Sequence, residues 1–201
     1  MTPGGARSLA ERWLAAEPDE DIRAELAALL AGPDDELTAR FAGTLTFGTA
    51  GLRAPIGAGP LRMNRLVVRQ AARGLADYVL ELDPAARERG IVIGYDARRK
   101  SDAFARDSAR VFAAAGLRVH LLPGPLPTPV LAWAITELGC AAGVMVTASH
   151  NPPADNGYKV YLGDGAQIVP PHDAGIAARI AAVDPTTVPM AADDDPLISV
   201  L

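Results

Sequence analysis

Apolar residues recur at helical spacing between residues 8 and 41. Two clusters interrupt them, Glu17-Pro18-Asp19 and Gly32-Pro33-Asp34-Asp35, and clusters of this composition are typical of turns and helix starts. The recurring apolar positions are Leu9, Trp13, Leu14, Ile22, Leu26, Leu29 and Leu30. The pattern predicts a helical N-terminal arm, which we assign to residues 1–43.

From residue 44 onward the pattern is one of alternating strands and helices. The Gly-rich stretch TLTFGTAGLRAPIGAGPLRMN predicts a loop around a short strand, and residues 64–82 carry the single apolar stripe of an amphipathic helix. The apolar runs IVIGY, LRVHLL and AAGVMV predict buried strands. Helices are predicted between these strands, over about 101–115 and 129–138, with a proline-rich link at 123–129. This rhythm indicates an α/β domain.

The chain then returns through one more strand and one more helix. Asn156-Gly157 predicts a tight turn, YKVYL a strand that follows it, and residues 173–183 a helix. We assign residues 44–185 to the α/β domain and the Pro/Asp-rich residues 186–201 to a tail or the start of a linker to a second domain.

Composition excludes several classes of protein. Hydrophobic residues make up 49% of the chain and charged residues 21%, as in globular proteins, and no apolar run or N-terminal signal indicates a membrane or secreted protein. We expect a cytoplasmic protein. The net charge of −5, with scattered Lys and Arg, argues against nucleic-acid binding. Cys140 is the only cysteine, so no intrachain disulfide can form, and we expect it to be buried.

The segment TASHNPP, residues 147–153, contains the strongest candidates for catalytic residues. It follows a predicted buried strand, where open α/β sheets place their ligands. Pro152 and Pro153 restrict the backbone after His150, which would leave Ser149 presented to solvent. Alternation along the returning strand puts Lys159 on the face opposite Tyr158, from which it could point toward the serine.

Each of these residues also has an ordinary explanation. A Ser-His pair in a loop is usually a polar turn, and a lone Lys on a strand is usually a solvated edge residue. His120 and His172 match no motif, and we interpret both as structural.

Taken together, the motifs resemble the α-D-phosphohexomutases, the family of phosphoglucomutases and phosphomannomutases, whose signature is TASHNP. The other motifs stand in that family's order: FGTAGLR (47–53), RMN (62–64), GYDAR (94–98), PTP (127–129) and NGYKVY (156–161). The arm and FGTAGLR look most like the branch with phosphopentomutase-like and glucose-bisphosphate-forming members. Ala54 departs from the family's pattern, because a glycine usually follows GLR.

The resemblance implies the family's first domain, a three-layer α/β/α sandwich on a mixed sheet. It also implies phosphoryl transfer between C1 and C6 of a hexose, or C1 and C5 of a pentose, through a phosphoserine and a sugar bisphosphate such as glucose 1,6-bisphosphate. The implied partners are sugar phosphates and domains 2–4 of the same polypeptide, and the implied cation is Mg²⁺.

By the same resemblance, Ser149 carries the phosphoryl group and gives Mg²⁺ a phosphate oxygen. Lys159 and Arg53 stabilise charge and assist proton movement. For His150 two roles remain possible. One is acid–base or orienting work, and the other is a purely structural hydrogen bond that fixes the loop. We call residues 147–153 the serine loop. The residues expected to support it are Thr147, Asn151, Asp96 and Arg98, with a surface ion pair as the alternative for Asp96 and Arg98.

The family's Asp-Gly-Asp-x-Asp metal loop and its phosphate-binding domain are not found in these 201 residues. We therefore expect the isolated chain to be inactive, and a truncated, non-catalytic domain is the alternative function. A serine hydrolase is disfavoured because Ser149 lacks the Gly-x-Ser-x-Gly elbow. A dinucleotide site at residues 57–62 is rejected because Arg62 replaces the third glycine.

Overall fold

The structure is a computed structural model that describes residues 2–201. Three helices form the N-terminal arm: α1 (Pro3–Ala16), α2 (Glu20–Ala31) and α3 (Asp34–Arg40). The domain that follows contains β1 (Leu52–Pro55), α4 (Arg65–Leu82), α5 (Ala86–Arg89), β2 (Ile91–Tyr95), α6 (Ser101–Ala114), β3 (Val119–Pro125), α7 (Thr128–Glu137), β4 (Ala142–Val146), β5 (Asp155–Leu162), α8 (His172–Ala181) and β6 (Ile198–Val200).

The six strands form one mixed sheet in the order β1-β5-β4-β2-β3-β6. Strands β4, β2, β3 and β6 are parallel, whereas β5 runs antiparallel to both β4 and β1. Helix α6 packs on one face and contacts α4, which in turn contacts α8; α7 packs on β2 and β4 from the other face. The sheet therefore lies between two helical layers, which confirms the predicted three-layer α/β/α fold.

The core divides along the two faces of the sheet. The larger cluster joins the arm, α4, α6 and one sheet face, and the smaller cluster joins α7 to the other face. Alternation along β5 follows this division, because Tyr158 lies in the larger cluster and Tyr161 in the smaller. Cys140 is buried in the smaller cluster, as predicted, and burial raises the pKa of its thiol to about 11.

Three local predictions differ from the structure. Asn156 and Gly157 do not form a turn; both lie inside β5, paired with Ala54 and Arg53 of β1. Residues 198–200, in the segment assigned to a tail, form the edge strand β6 beside β3. Strand β3 also extends through residues 123–125, which were assigned to the proline-rich link. In each case pairing with a distant strand decides the local structure.

The arm packs directly on the domain. Trp13 and Phe41 make an edge-to-face contact with ring centroids 5.9 Å apart, and both side chains lie in the larger core cluster. Such a pair stabilises the fold beyond its buried area. Arm and domain therefore share one hydrophobic core. No helix within residues 2–201 is long and apolar enough to cross a membrane.

Glu17 is an ionisable group buried at the junction of α1 and α2. Its side chain is 3% exposed, its Oε1 accepts the N–H of Asp19, and its Oε2 has no hydrogen-bond partner within residues 2–201. Burial raises the pKa of Glu17 to about 7, and the negative charge of Asp19 raises it further. The hydrogen bond from the Asp19 N–H and the charges of Arg69 and Arg65 only partly oppose this rise. Ionised Glu17 therefore opposes docking of the arm.

We expect Glu17→Gln to remove part of the pH dependence of stability. The folded chain binds this proton more tightly than the unfolded chain, whose Glu pKa is about 4.5. Stability should therefore fall as pH rises from about 4.5 to about 7, by up to about 3 kcal/mol from this group. Urea unfolding of both proteins at pH 5 and pH 8 measures it, with the exposed Glu11→Gln as control. Parallel loss of stability in wild type and Glu17→Gln would contradict the assignment.

Candidate active site

Ser149 lies in the loop that joins β4 to β5, two residues after the buried Thr147. Its side chain is exposed and its backbone is left-handed, with φ of 59°. A non-glycine residue adopts this conformation only where its surroundings hold it, at a cost of about 1–3 kcal/mol. Ser149 is therefore presented to solvent on a loop that other residues must fix.

A chain of hydrogen bonds fixes the amide of Ser149. Its N–H donates to Thr147 Oγ1 at 2.9 Å, and the Thr147 hydroxyl donates to Asp96 Oδ2 at 2.6 Å. The other carboxylate oxygen of Asp96 accepts the Ser101 hydroxyl at 2.8 Å. Asp96 follows β2 directly, so the centre of the sheet positions the serine loop.

Arg98 holds the carbonyl side of the same loop. Its Nη1 donates to the carbonyls of Pro152 and Asp155 at 2.8 and 3.1 Å. Its Nη2 donates to those of Ser149 and Asn151 at 2.8 and 2.9 Å. Its Nε lies 3.3 Å from Asp96 Oδ2. The guanidinium thus has a partner for each of its N–H groups and has none left for a ligand. Arg98 therefore both forms the ion pair with Asp96 and binds the loop.

Asn151 links the loop to β1. Its Nδ2 donates to Asp155 Oδ2 at 2.9 Å, and its Oδ1 accepts Arg53 Nη1 at 3.4 Å. Arg53 lies opposite Gly157 in the sheet. A Cβ at Gly157 would lie 2.6 Å from the Leu52 carbonyl oxygen, so only glycine lets these backbones approach. Ala54, which follows Arg53, is not in a left-handed conformation and fits the strand.

Arg53 differs from Arg98 in the use of its donors. Its Nε is buried without a hydrogen-bond partner within residues 2–201, and its hydrogen bond to Asn151 is long. A guanidinium offers five N–H donors, so Arg53 retains donors for an anion.

Lys159 lies on β5 opposite Met145 and is 9% exposed. The pKa of its ammonium group is lowered, first by burial and then by the nearby positive charge of Arg53. A lysine with a lowered pKa gives up its proton more easily, which favours proton exchange with a nearby hydroxyl group. Arg53 and Lys159 together form a positive region beside the serine loop.

His150 is exposed, and no residue within 2–201 hydrogen-bonds to its imidazole. Its placement leaves it free to meet a ligand and gives no support to a structural hydrogen bond. His172 and His120 instead bond to Tyr78 and Ser199, away from the serine loop, in keeping with structural roles. No described histidine pairs with the Ser149 hydroxyl, as a serine hydrolase would require.

An open cleft of about 470 Å³ lies beside Ser149. The residues that line it are Asp96, Ala97, Arg98, Arg99, Ser149 and Pro153. Within residues 2–201, no group of three or more His, Cys, Asp or Glu side chains is arranged to hold a metal ion.

Sequence reasoning missed two residues that support the site. Asn156 donates to the Ser101 hydroxyl and to the Arg99 carbonyl, both at 3.0 Å, and so ties β5 to the segment that carries Asp96 and Arg98. Asn156 belongs to the motif NGYKVY, but Asn-Gly is equally typical of a turn. Ser101 carried no signal beyond its place at a helix start.

Comparison with known proteins relates this geometry to a family. Residues 44–187 match the family model described as phosphoglucomutase/phosphomannomutase, alpha/beta/alpha domain I. The chain is 47% identical over 175 residues to "Probable phosphoribomutase" of Schizosaccharomyces pombe, covering 87% of this chain and 30% of that protein. It is 60% identical over 121 residues to "Probable phosphomannomutase" of Haemophilus influenzae, covering 59% of this chain and 24% of that protein.

Among solved structures, a "putative phosphomannomutase" from Thermus thermophilus superposes with a TM-score of 0.67 at 31% identity. That match covers 79% of this chain and 33% of the other. The chain thus spans about a third or less of the length of these relatives. With the family model matched over most of the chain and the fold shared, the chain belongs to the phosphoglucomutase/phosphomannomutase family and contains its α/β/α domain I.

Proposed function

We propose that Ser149 is the phosphoryl carrier of a phosphosugar mutase. The observation that carries this proposal is an exposed serine whose left-handed backbone is held on both sides, by Thr147 and Arg98. The cations Arg53 and Lys159 lie beside its loop. Phosphoryl transfer depends mainly on positioning and charge stabilisation, and this arrangement supplies both.

The proposed reaction moves phosphate between C1 and C6 of a hexose, or C1 and C5 of a pentose. A sugar hydroxyl attacks the phosphorus of phospho-Ser149, the bond from phosphorus to Ser149 Oγ breaks, and a sugar bisphosphate forms. The hydroxyl proton passes to the neutral form of Lys159, which the lowered pKa makes more abundant, and a proton returns to Ser149 Oγ as its bond to phosphorus breaks. The bisphosphate, such as glucose 1,6-bisphosphate, reorients and returns its other phosphate to Ser149.

The two arginines have different proposed roles. Arg53 donates from its free N–H groups to the transferring phosphate and stabilises the charge that develops there. Arg98 cannot do so, because loop carbonyls occupy its donors. It acts by holding the loop, with Asp96, Thr147 and Asn151. For His150 we propose orienting or acid–base work, since its imidazole is free.

Mg²⁺ fits this site only in part. A phosphate oxygen on Ser149 is one suitable ligand, and the residues described here assemble no other set of ligands. The remaining ligands, and the residues that select the sugar, are proposed to come from further domains of the same polypeptide. When bound, the ion would neutralise phosphate charge.

A truncated, non-catalytic domain is the alternative. The two proposals differ in one measurement, because only a carrier serine accepts phosphate from a sugar bisphosphate. In either case residues 1–201 alone are expected to be inactive.

We expect Ser149→Ala in the full-length protein to abolish sugar-phosphate interconversion while the fold is kept. The substitution removes the oxygen that carries the phosphoryl group, so no intermediate forms. Intact mass and peptide mapping after incubation with the bisphosphate should place the added phosphate on Ser149. Ser8→Ala, at an exposed helix position, is the matched control and should behave as wild type. Phosphate on another residue, or turnover by Ser149→Ala, would refute the proposal.

The two arginines should give separable phenotypes. Arg53→Ala should lower kcat/KM by about 10²–10³-fold, the usual cost of a lost charge-stabilising donor, with little change in stability. Arg98→Ala should lower activity and also reduce the free energy of unfolding by about 1–3 kcal/mol, because it leaves loop carbonyls unsatisfied. Kinetics on the full-length protein and urea unfolding of both variants measure the two effects. Equal stability losses would contradict the division of roles.

A further inference from the structure

Lys100 is the second non-glycine residue in a left-handed conformation within residues 2–201, with φ of 64°. It lies at the N-terminal end of α6, in the bend that runs from Asp96 to Ser101. This bend carries both residues that hold the serine loop, Asp96 and Arg98. The shape of the bend therefore bears on the geometry of Ser149.

The side chain of Lys100 reaches across to the N-terminal arm. Its Nζ lies 2.9 Å from Asp19 Oδ2 and 2.7 Å from Asp21 Oδ1, at the junction of α1 and α2. Lys100 and Asp19 are both mostly buried. Although burial works against it, the pKa of Lys100 is raised, because Asp21 and Asp19 accept hydrogen bonds from the ammonium group.

The arm's end of this contact is itself fixed. Asp19 Oδ1 pairs with Arg65 at 3.3 Å, and Arg65 also pairs with the buried Asp107 of α6 at 2.6 Å. Arg65 of α4 therefore holds one oxygen of the Asp19 carboxylate in place, and the other oxygen binds Lys100.

At its other end, the bend is connected to the serine loop by short hydrogen bonds. The Ser101 hydroxyl donates to Asp96 Oδ1 and accepts Asn156 Nδ2, and Asn156 also bonds the Arg99 carbonyl. Asp96 accepts the Thr147 hydroxyl, which accepts the Ser149 amide. The contacts are continuous from the arm to the serine.

We propose that Lys100 is a positioning residue for the proposed phosphoryl transfer. Its ion pairs with Asp19 and Asp21 hold the left-handed bend in the shape with which Asp96 and Arg98 grip the serine loop. The arm is thereby part of the machinery that orients Ser149. This inference rests on the proposed function for its kinetic consequence, but not for its structural one.

The test compares two substitutions of Lys100 in the full-length protein. Lys100→Met removes the ammonium group but keeps the cost of the left-handed backbone, whereas Lys100→Gly removes both, since glycine adopts this conformation freely. Hydrogen–deuterium exchange of the peptide that covers residues 147–155 reports on the loop without requiring activity. We expect about tenfold faster exchange in Lys100→Met and Asp19→Asn, and exchange close to wild type in Lys100→Gly.

Kinetics provide the second readout. Misplacement of Ser149 should lower kcat about tenfold or more in Lys100→Met and leave KM within about twofold, with recovery in Lys100→Gly. Arg106→Met, which breaks an exposed pair with Asp102 in the same helix, is the control and should change neither readout.

Unchanged loop exchange in Lys100→Met, or Lys100→Gly as impaired as Lys100→Met, would overturn the proposal. If Lys100→Met alters loop exchange but the wild-type protein does not transfer phosphate, the structural link stands and the proposed function is refuted instead.

Discussion

The contact between the Arg98 guanidinium and the carbonyls of the serine loop is the interaction on which the candidate site depends. A loop with two adjacent prolines and a left-handed serine has few backbone hydrogen bonds of its own. Arg98 replaces them with one planar group that binds four carbonyls at once. A lysine could not do this, because it lacks the fixed fork of donors.

The sheet supplies the other half of the geometry. Parallel β2 and β4 bring Asp96 and the serine loop to the same end of the sheet, and antiparallel β5 then carries Lys159 back past that end. Strand β1 adds Arg53 from the outer side of β5. Four segments that are distant in sequence thus contribute to one small region. Packing of the core on each face of the sheet fixes their positions relative to one another.

The sequence was sufficient to predict most of the helices and the central strands, because apolar spacing and cap residues are local signals. Asn64, for example, caps α4 by accepting the Val67 amide, as its place before an apolar stripe suggests. It was not sufficient for β6 or for Asn156-Gly157, where pairing with β3 and β1 overrides local composition. Motifs located the candidate residues, but the division between a saturated Arg98 and a free Arg53 depends on hydrogen bonds that no pattern encodes. The roles of these residues stay predictions.

The left-handed backbone at Ser149 also restricts which hydroxyl amino acid can stand there. Threonine would offer the same hydroxyl group, but its branched Cβ makes a positive φ far more costly than it is for serine. Tyrosine would displace the oxygen by the length of a ring. The conformation that presents the hydroxyl thus selects serine on steric grounds, before any requirement of phosphate chemistry is considered.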